Sequence, residues 1–468
     1  MCGIAVTHTL KDAYSFAKDQ QHRGREAVGI AAIGDNRIDV LKWVGTTEAF
    51  EVDDLHLIFP GEGHDYHTFL SHIRYATRGQ KDSKDILKDA HPHVIGGRQE
   101  DRGTHVIIND CDAVVVHNGQ VDGKYFNGEI FDLKTNCDTE SFLHFYRKYR
   151  AKGILEKIPG AYTAVIAEKY RKEILVLRDK TGIKPGVLGW KNGKCVIASE
   201  EIAFRKNHAR FLENLEPGCV YSITPEGRYF KERIVSPELN YCFFEWNYLA
   251  HVDSILNDVS VRRVREVHGE RIALEFAELV AKANLITYVP RCPEVAARKC
   301  ADCIGKKFSP VFYKMKSTRS FIGSTKAERW GSILKNLYLL NSKRDSLRGL
   351  NLVVIEDSMI RGNNGKRERD LLYEVGKANV VHHINYTPPV GIIGKDDVPR
   401  GCLFGVDMPP DDDSFIARGR TAEEISEIME MPVHYLSMEG MLSGFEKLGI
   451  PRQNLCTFCI GGPHPFEK

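Results

Sequence analysis

A chain of 468 residues and 52.9 kDa exceeds what one hydrophobic core usually holds, so two or three domains are expected. A net charge of +2 and a sequence pI of about 7.9, with no long block of like charges, leave no footprint for nucleic acid or an acidic membrane surface. No apolar run reaches the roughly 18 residues of a membrane span and no signal peptide opens the chain. The 12 cysteines are too irregularly spaced for a secreted disulfide framework, which points to a reducing, cytoplasmic setting.

To about residue 235 the chain reads as short strands and turns. GIAAIG, FLSHIRYAT, VIIND, AVVVHNG, YTAVIAEK, EILVLRD, VLGW and KCVIAS are β-rich pieces bounded by Gly, Asn, Asp or Lys. Helices are predicted near 12–20 and 139–151, suggesting stacked antiparallel sheets with helices outside. Beyond about residue 240 strands and helices alternate. A long helical region spans 258–281 and the strand ITYVP follows. Helices are predicted over 293–306 and around 327–340. Then come the strand NLVVIEDS with its acidic turn, the helix GKRERDLLYEVGKA and the strand NVVHHINY. This alternation indicates βαβ units around a parallel sheet. The expected domains are 2–240 and 241–468.

The opening Met-Cys-Gly puts a thiol at position 2. Trimming of the initiator methionine, usual before a small residue, would leave Cys2 with both a thiol and a free α-amine. With a pKa near 8, that amine can serve as the base for its own side chain. Four motifs follow: QHRGREAVG (21–29), HIRYAT (72–77), HNG (117–119) and CDTE (137–140). Singly each has a bland reading: Asn-Gly as a tight turn, the arginine as a strand-edge residue, Asp138 as a helix cap. In this order behind Met-Cys-Gly-Ile, they resemble the class II glutamine amidotransferase domain of the N-terminal nucleophile superfamily. The resemblance implies a four-layer αββα sandwich in which Cys2 attacks the glutamine side-chain amide, forms a thioester and releases ammonia. It implies that the Asn118 side chain and the Gly119 N–H hold the oxyanion, worth about 3–4 kcal/mol per donor. Arg74 would pair with the glutamine α-carboxylate, Asp138 would hold the α-ammonium, and Arg23 would buttress the terminus.

VVIEDSMIRGNNG (353–365) places two acids at a strand end before a Gly-containing turn into a helix. Such a turn suits a sugar phosphate, with acids on the ribose hydroxyls and backbone N–H groups on the phosphate. The bland alternative is a strand-end turn whose acids cap the helix. The stretch resembles the phosphoribosyl pyrophosphate loop of type I phosphoribosyltransferases. The two-domain order resembles the amidophosphoribosyltransferase family, as do FEWNYLAHVDS (244–254) and LSMEGMLSGF (436–445). The resemblance implies a parallel α/β domain in which Glu356 and Asp357 meet the ribose. Ser358, Arg361, Gly362, Asn363 and Asn364 would hold the 5′-phosphate, and Lys314, Lys316 and Arg319 the pyrophosphate with its Mg²⁺. The family loop reads V-D-D-S-I-V-R-G-T-T; here Glu356 replaces the first acid and Asn363 and Asn364 the threonines. V-P-R-C-P-E (289–294) replaces V-P-D-S, and K-M-K-S-T-R-S-F-I (314–322) is one residue shorter than the family's flexible loop and lacks its tyrosine.

Cys456 and Cys459 form a C-x-x-C, which alone reads as half a metal or cluster site or a redox pair. A subset of the family carries a [4Fe–4S] cluster on cysteines that match Cys242, Cys402, Cys456 and Cys459; zinc is the lesser option. Cys111, Cys137, Cys195, Cys219, Cys292, Cys300 and Cys303 are expected as small apolar residues, the Cys300/Cys303 pair on a buried helix face. The resemblance thus implies 5-phosphoribosylamine formation from glutamine and phosphoribosyl pyrophosphate, the first step of purine synthesis. It further implies a homotetramer open to purine nucleotide inhibition. Two alternatives stand beside it: a paralogue passing ammonia to a nucleobase or another sugar phosphate, and a non-catalytic regulator that binds nucleotide.

Overall fold

The computed structural model describes residues 2–61, 65–75, 83–126, 131–135, 137–315, 336–405 and 408–466. The chain divides into two compact units: Met1–Cys242 with Asp253–Asp258, and Phe243–Val252 with Val259–Lys468.

In the first unit, period-two apolar patterning builds two layers of antiparallel strands. Successive hydrogen-bonded neighbours run Val187–Lys191, Lys194–Ala198, Gly3–Thr7, Thr68–Arg74, Ala27–Ile33, Ile38–Val44, His105–Gln120, Ala161–Glu168, Ile174–Arg178 and Cys219–Ile223. Ile4, Val6, Leu70 and Ala31 share one core with Val114, Val116, Val165 and Val176, so the path folds back on itself face to face. The opposite faces take the helices. Ile30 and Ala32 pack with Leu10 and Ala13 of the helix Leu10–Asp19, and Ala113 and Val115 pack with Phe142 and Tyr146 of the helix Asp138–Lys157. The run 113–116 therefore feeds two cores from alternate residues, and the layers are helix, sheet, sheet, helix.

The predicted pieces VIIND and AVVVHNG join into one strand, His105–Gln120. Asn118 and Gly119 lie inside it, in register with Thr163 and Tyr162, instead of forming a turn. Gly119 is required by close approach: a Cβ there would lie 2.0 Å from the Ala161 carbonyl oxygen. The helix from Asp138 runs past the predicted end at 151 after a break at Arg150, where φ is 61°.

The second unit holds a four-stranded parallel sheet in the order Leu285–Tyr288, Asn351–Glu356, Val380–Asn385, Val433–Tyr435. Helices Val261–Glu275, Glu294–Ile304, Ala422–Met429 and Met438–Lys447 accompany it. The helix expected around 327–340 is corrected at its end. Leu337–Leu339 is a strand paired with Phe312–Lys314, because Leu337 and Leu339 are buried while Tyr338 between them is only partly so; 327–335 lies outside the described residues. Helix Asn363–Arg369 continues as a wider turn over Asp370–Val375. Among the described residues no helix is long and apolar enough to cross a membrane.

Candidate active site

Strand register assembles the first constellation. Gly3 pairs with Ile73 and Ile4 with His72, so continuing the register by one residue sets Cys2 beside Arg74. His72 Nε2 donates to the His117 carbonyl at 3.2 Å, tying that strand to the one bearing Asn118 and Gly119. The Val121 N–H, just past that strand's end, donates to Asp138 Oδ2 at 2.7 Å. Cys2, Arg74, Asn118, Gly119 and Asp138 thus gather at one end of the two sheets. Burial lowers His72 to about 3 and His117 to about 4, so both rings are neutral at pH 7.

The side chains are held with little freedom. Arg23 is fully buried; its Nε donates to the Cys2 carbonyl at 2.8 Å and its guanidinium is ion-paired with Glu200. Glu200 also meets His22 Nε2 at 2.9 Å and accepts from Ser254 Oγ at 2.8 Å. Glu200 had no signal in the sequence, since only the fold brings it behind Arg23. Arg74 is buried, with Nη1 donating to the Ile86 carbonyl at 3.3 Å and Nη2 3.6 Å from Asp89 Oδ2. Asn118 differs: it is 1% exposed, yet neither its side-chain oxygen nor its nitrogen has a partner. A buried, unsatisfied polar group costs about 1–3 kcal/mol, a cost that a bound amide or oxyanion would remove.

The second constellation lies at the end of strand Asn351–Glu356. Glu356 and Asp357 are both buried there, and Ser358 Oγ donates to Asp357 Oδ1 at 3.0 Å. Burial, then the neighbouring Glu356 charge, raises Asp357 to about 7, while Lys314 and Arg265 pull it down. Gly362 has φ 74°, and a Cβ there would lie 2.7 Å from Ile416 Cδ1, so the turn into the helix requires glycine. Asn364 Nδ2 reaches Glu356 Oε1 at 3.5 Å, at the limit of a hydrogen bond. Arg361 is ion-paired with Asp412, and its Nε donates to Ser414 Oγ at 2.7 Å, so it is already engaged within the protein. Lys316 and Arg319 lie outside the described residues.

Behind these acids sits a group that the sequence reading missed. His383 Nδ1 is 2.9 Å from Glu368 Oε2 and its Nε2 is 3.3 Å from Glu356 Oε2. Burial alone would lower this histidine, but the Glu368 and Glu356 carboxylates overcome it and hold it well above 6.5. Its only trace in the sequence is a polar pair inside the strand text NVVHHINY.

Residues 95–206 match the glutamine amidotransferase domain family. The amidophosphoribosyltransferase of Bacillus subtilis is 28% identical over 459 residues, spanning 96% of this chain and 89% of its own length. The chloroplastic amidophosphoribosyltransferase 1 of Arabidopsis thaliana is 30% identical over 492 residues, spanning 100% of this chain and 79% of its own. The chain belongs to the amidophosphoribosyltransferase family. The fold of that family is matched along the whole chain. The solved glutamine phosphoribosylpyrophosphate amidotransferase of B. subtilis, complexed with ADP and GMP, superposes with a TM-score of 0.79 at 24% identity, covering 100% of this chain and 98% of its own.

Of the cysteines matched to the family's cluster, Cys459 is buried and Cys242, Cys402 and Cys456 are partly so. Cys111, Cys195 and Cys219 pack in the core between the sheets, as expected of small apolar residues. Cys300 is buried on helix Glu294–Ile304, but Cys303 is exposed, because it lies about 90° around the helix from the centre of the buried stripe of Ala296, Ala297, Cys300 and Ala301. Cys292 is partly buried with its Sγ 3.6 Å from the Tyr248 carbonyl. Cys137 sits among polar groups, with Sγ 3.4 Å from Thr139 Oγ1 and 3.7 Å from Asp138 Oδ1.

Proposed function

We propose that this family member makes 5-phosphoribosylamine, glutamate and pyrophosphate from glutamine, phosphoribosyl pyrophosphate and water, the first step of purine synthesis. The observation that carries the glutaminase half is the unpartnered, buried Asn118 amide on the strand that His72 ties to Thr68–Arg74, the neighbour of the strand following Cys2. Once Met1 is removed, the Cys2 amine takes the thiol proton and the thiolate attacks the glutamine carboxamide. Asn118 and the Gly119 N–H stabilise the oxyanion, ammonia leaves, and water cleaves the thioester to glutamate. Arg74 and Asp138 hold the two ends of the amino-acid backbone. Arg23 fixes the Cys2 carbonyl so that the terminus stays at the site.

In the transferase half, Glu356 and Asp357 accept from the ribose hydroxyls while the turn from Ser358 to Asn364 receives the 5′-phosphate. Ammonia attacks C1 as pyrophosphate departs, the leaving charge met by Lys314 together with Lys316 and Arg319. Buried acids beside a cationic Lys314 are a donor set compatible with Mg²⁺ carried in by the pyrophosphate. Cys242, Cys402, Cys456 and Cys459 would hold a structural [4Fe–4S] cluster; an all-thiolate donor set fits it, and zinc less specifically. A homotetramer, a cytoplasmic setting and inhibition by purine nucleotides complete the reading. The last draws on the ADP and GMP bound by the B. subtilis relative.

The test is the glutaminase rate of anaerobically purified protein with and without phosphoribosyl pyrophosphate and Mg²⁺. Strong stimulation, with one pyrophosphate released per glutamate, is expected. Glutamine hydrolysis indifferent to the sugar would sink the acceptor assignment and leave ammonia for a different acceptor. Activity retained after Cys2→Ala, whatever it proves to be, would mark a binding protein instead.

A further inference from the structure

Behind the Asp138 carboxylate lies a cluster that the proposed reaction does not use. His91, His93 and Cys137 each bring one ligand atom to within 4.8 Å of the others. Both histidines are buried and Cys137 is partly so.

Their hydrogen bonds leave lone pairs unspent. His93 Nε2 lies 3.3 Å from the Asp89 carbonyl, which can only accept, so the ring proton is on Nε2 and the lone pair on Nδ1. Thr139 Oγ1 faces two rings, His91 Nε2 at 2.8 Å and His117 Nδ1 at 3.0 Å. One hydroxyl proton cannot serve both; given to His117, it leaves His91 donating from Nε2. The lone pair of His91 is then on Nδ1, a buried atom with no partner. Metal-bound imidazoles show this arrangement, the outer N–H held by a carbonyl, carboxylate or water and the inner nitrogen coordinating. Burial holds both imidazoles well below 6.5, so they are neutral at pH 7.

We propose that His91, His93 and Cys137 bind one zinc-class divalent metal ion, with water completing the coordination. Two imidazoles and a thiolate are the donors zinc takes. Bond lengths near 2.0–2.1 Å to nitrogen and 2.3 Å to sulfur put tetrahedral ligand atoms about 3.3–3.6 Å apart, so atoms within 4.8 Å of one another need to close by at most about 1.5 Å. The Cys137 thiol, pushed up by burial, would give up its proton on binding. The buried Lys42 ammonium, which donates to the Ala90 carbonyl at 2.9 Å, and the Arg74 guanidinium repel a cation here; the thiolate, Asp89 and Glu140 offset them. Because Cys137 immediately precedes Asp138, the ion would pin the helix start that carries the proposed glutamine-binding carboxylate. This last role rests on the glutaminase reading; metal binding does not.

The test compares the full chain with Cys137→Ser, His93→Phe and, as a control on the other thiolates, Cys456→Ala. All are purified without chelator, with zinc content and circular dichroism measured for each. About one zinc per chain, the load of a single such site, is expected in the wild type and in Cys456→Ala, and a loss in the other two. Co²⁺ added to zinc-stripped Cys456→Ala should give a thiolate-to-cobalt charge-transfer band, absent when Cys137→Ser is added to that background. Zinc that follows Cys456, equal zinc in every variant, or no band on adding Co²⁺ would overturn the site. His93→Phe keeps the thiol and decides the matter if Cys137→Ser does not fold. With the metal lost, glutamine KM should rise while unfolding remains cooperative; an unchanged KM with the zinc gone would remove the positioning role and leave the site.

Discussion

His383 offers a sharp test of how the second unit tolerates its acids. The ring is fully buried between Glu368 at 2.9 Å and Glu356 at 3.3 Å, and the Glu368 side chain is also fully buried. His383→Leu keeps the volume and removes the cation, stranding a carboxylate that water cannot reach. Breaking a buried pair in this way costs about 3–5 kcal/mol. The proton route gives the same size: neutralising Glu368 at pH 7, against an ordinary value near 4.3, costs about 3.7 kcal/mol, but only about 1 kcal/mol at pH 5. His383 itself has a raised folded pKa, so its contribution is complete below about 6.5 and fades above, by about 0.8 kcal/mol at pH 7. The penalty of His383→Leu should therefore shrink by about 2 kcal/mol between pH 7 and pH 5. Thermal unfolding reads this at about 2–4 °C per kcal/mol for a unit of this size, a drop of roughly 10 °C at pH 7. The double variant His383→Leu/Glu368→Leu, which removes the fully buried carboxylate and leaves only Glu356 facing the new side chain, should recover part of it. A drop that is equal at both pH values, with no recovery in the double variant, would show that His383 contributes packing alone.

Cys2→Ser should abolish glutamine-dependent synthesis while synthesis from added ammonium persists; loss of both would refute separate half-sites. Asn118→Ala should lower the glutaminase kcat by about 10²–10³ with no fall in melting temperature, because the amide it removes has no partner in the free protein. Gly362→Ala must place a side chain at φ 74° and 2.7 Å from Ile416 Cδ1. A loss of about 1–2 kcal/mol and a raised KM for phosphoribosyl pyrophosphate are expected, with glutaminase in the absence of that ligand unaffected. Asp357, raised to about 7 by burial and by Glu356, is mostly protonated at pH 6 in the free protein. Since ribose hydroxyls favour its ionised form, affinity for phosphoribosyl pyrophosphate should tighten from pH 6 to 8 with release of protons. Calorimetry in buffers of different ionisation enthalpy measures that release, and a pH-independent affinity would contradict the assignment.

Local chemistry made the two constellations legible in the sequence. A thiol at position 2, Asn-Gly at a strand end and paired acids before a Gly turn are short motifs whose residue types fit what they are proposed to contact. The architecture was legible for a similar reason, since period-two runs such as 113–116 declare two buried faces and alternating strands and helices declare a parallel sheet. What could not be read depends on distant neighbours. Asn-Gly is the strongest turn dipeptide, yet the ladder with Tyr162 and Thr163 keeps 118–119 extended. Leu337–Leu339 is too short for its alternation to announce a strand, and only pairing with Phe312–Lys314 makes it one.

The same distinction separates the groups proposed to meet substrate from those that hold them. Arg23 could be picked out by its motif, but its partner Glu200 lies 177 residues away, and Glu368 reaches His383 across 15. Such supports are specified by burial: once Arg23 or Glu356 loses water, a counter-charge must be found wherever the fold supplies one. Asn118, at the proposed reacting centre, stands in contrast to them. Its backbone is paired in the ladder with Thr163, while both polar atoms of its side chain are buried without a partner, which leaves them for the oxyanion it is proposed to bind.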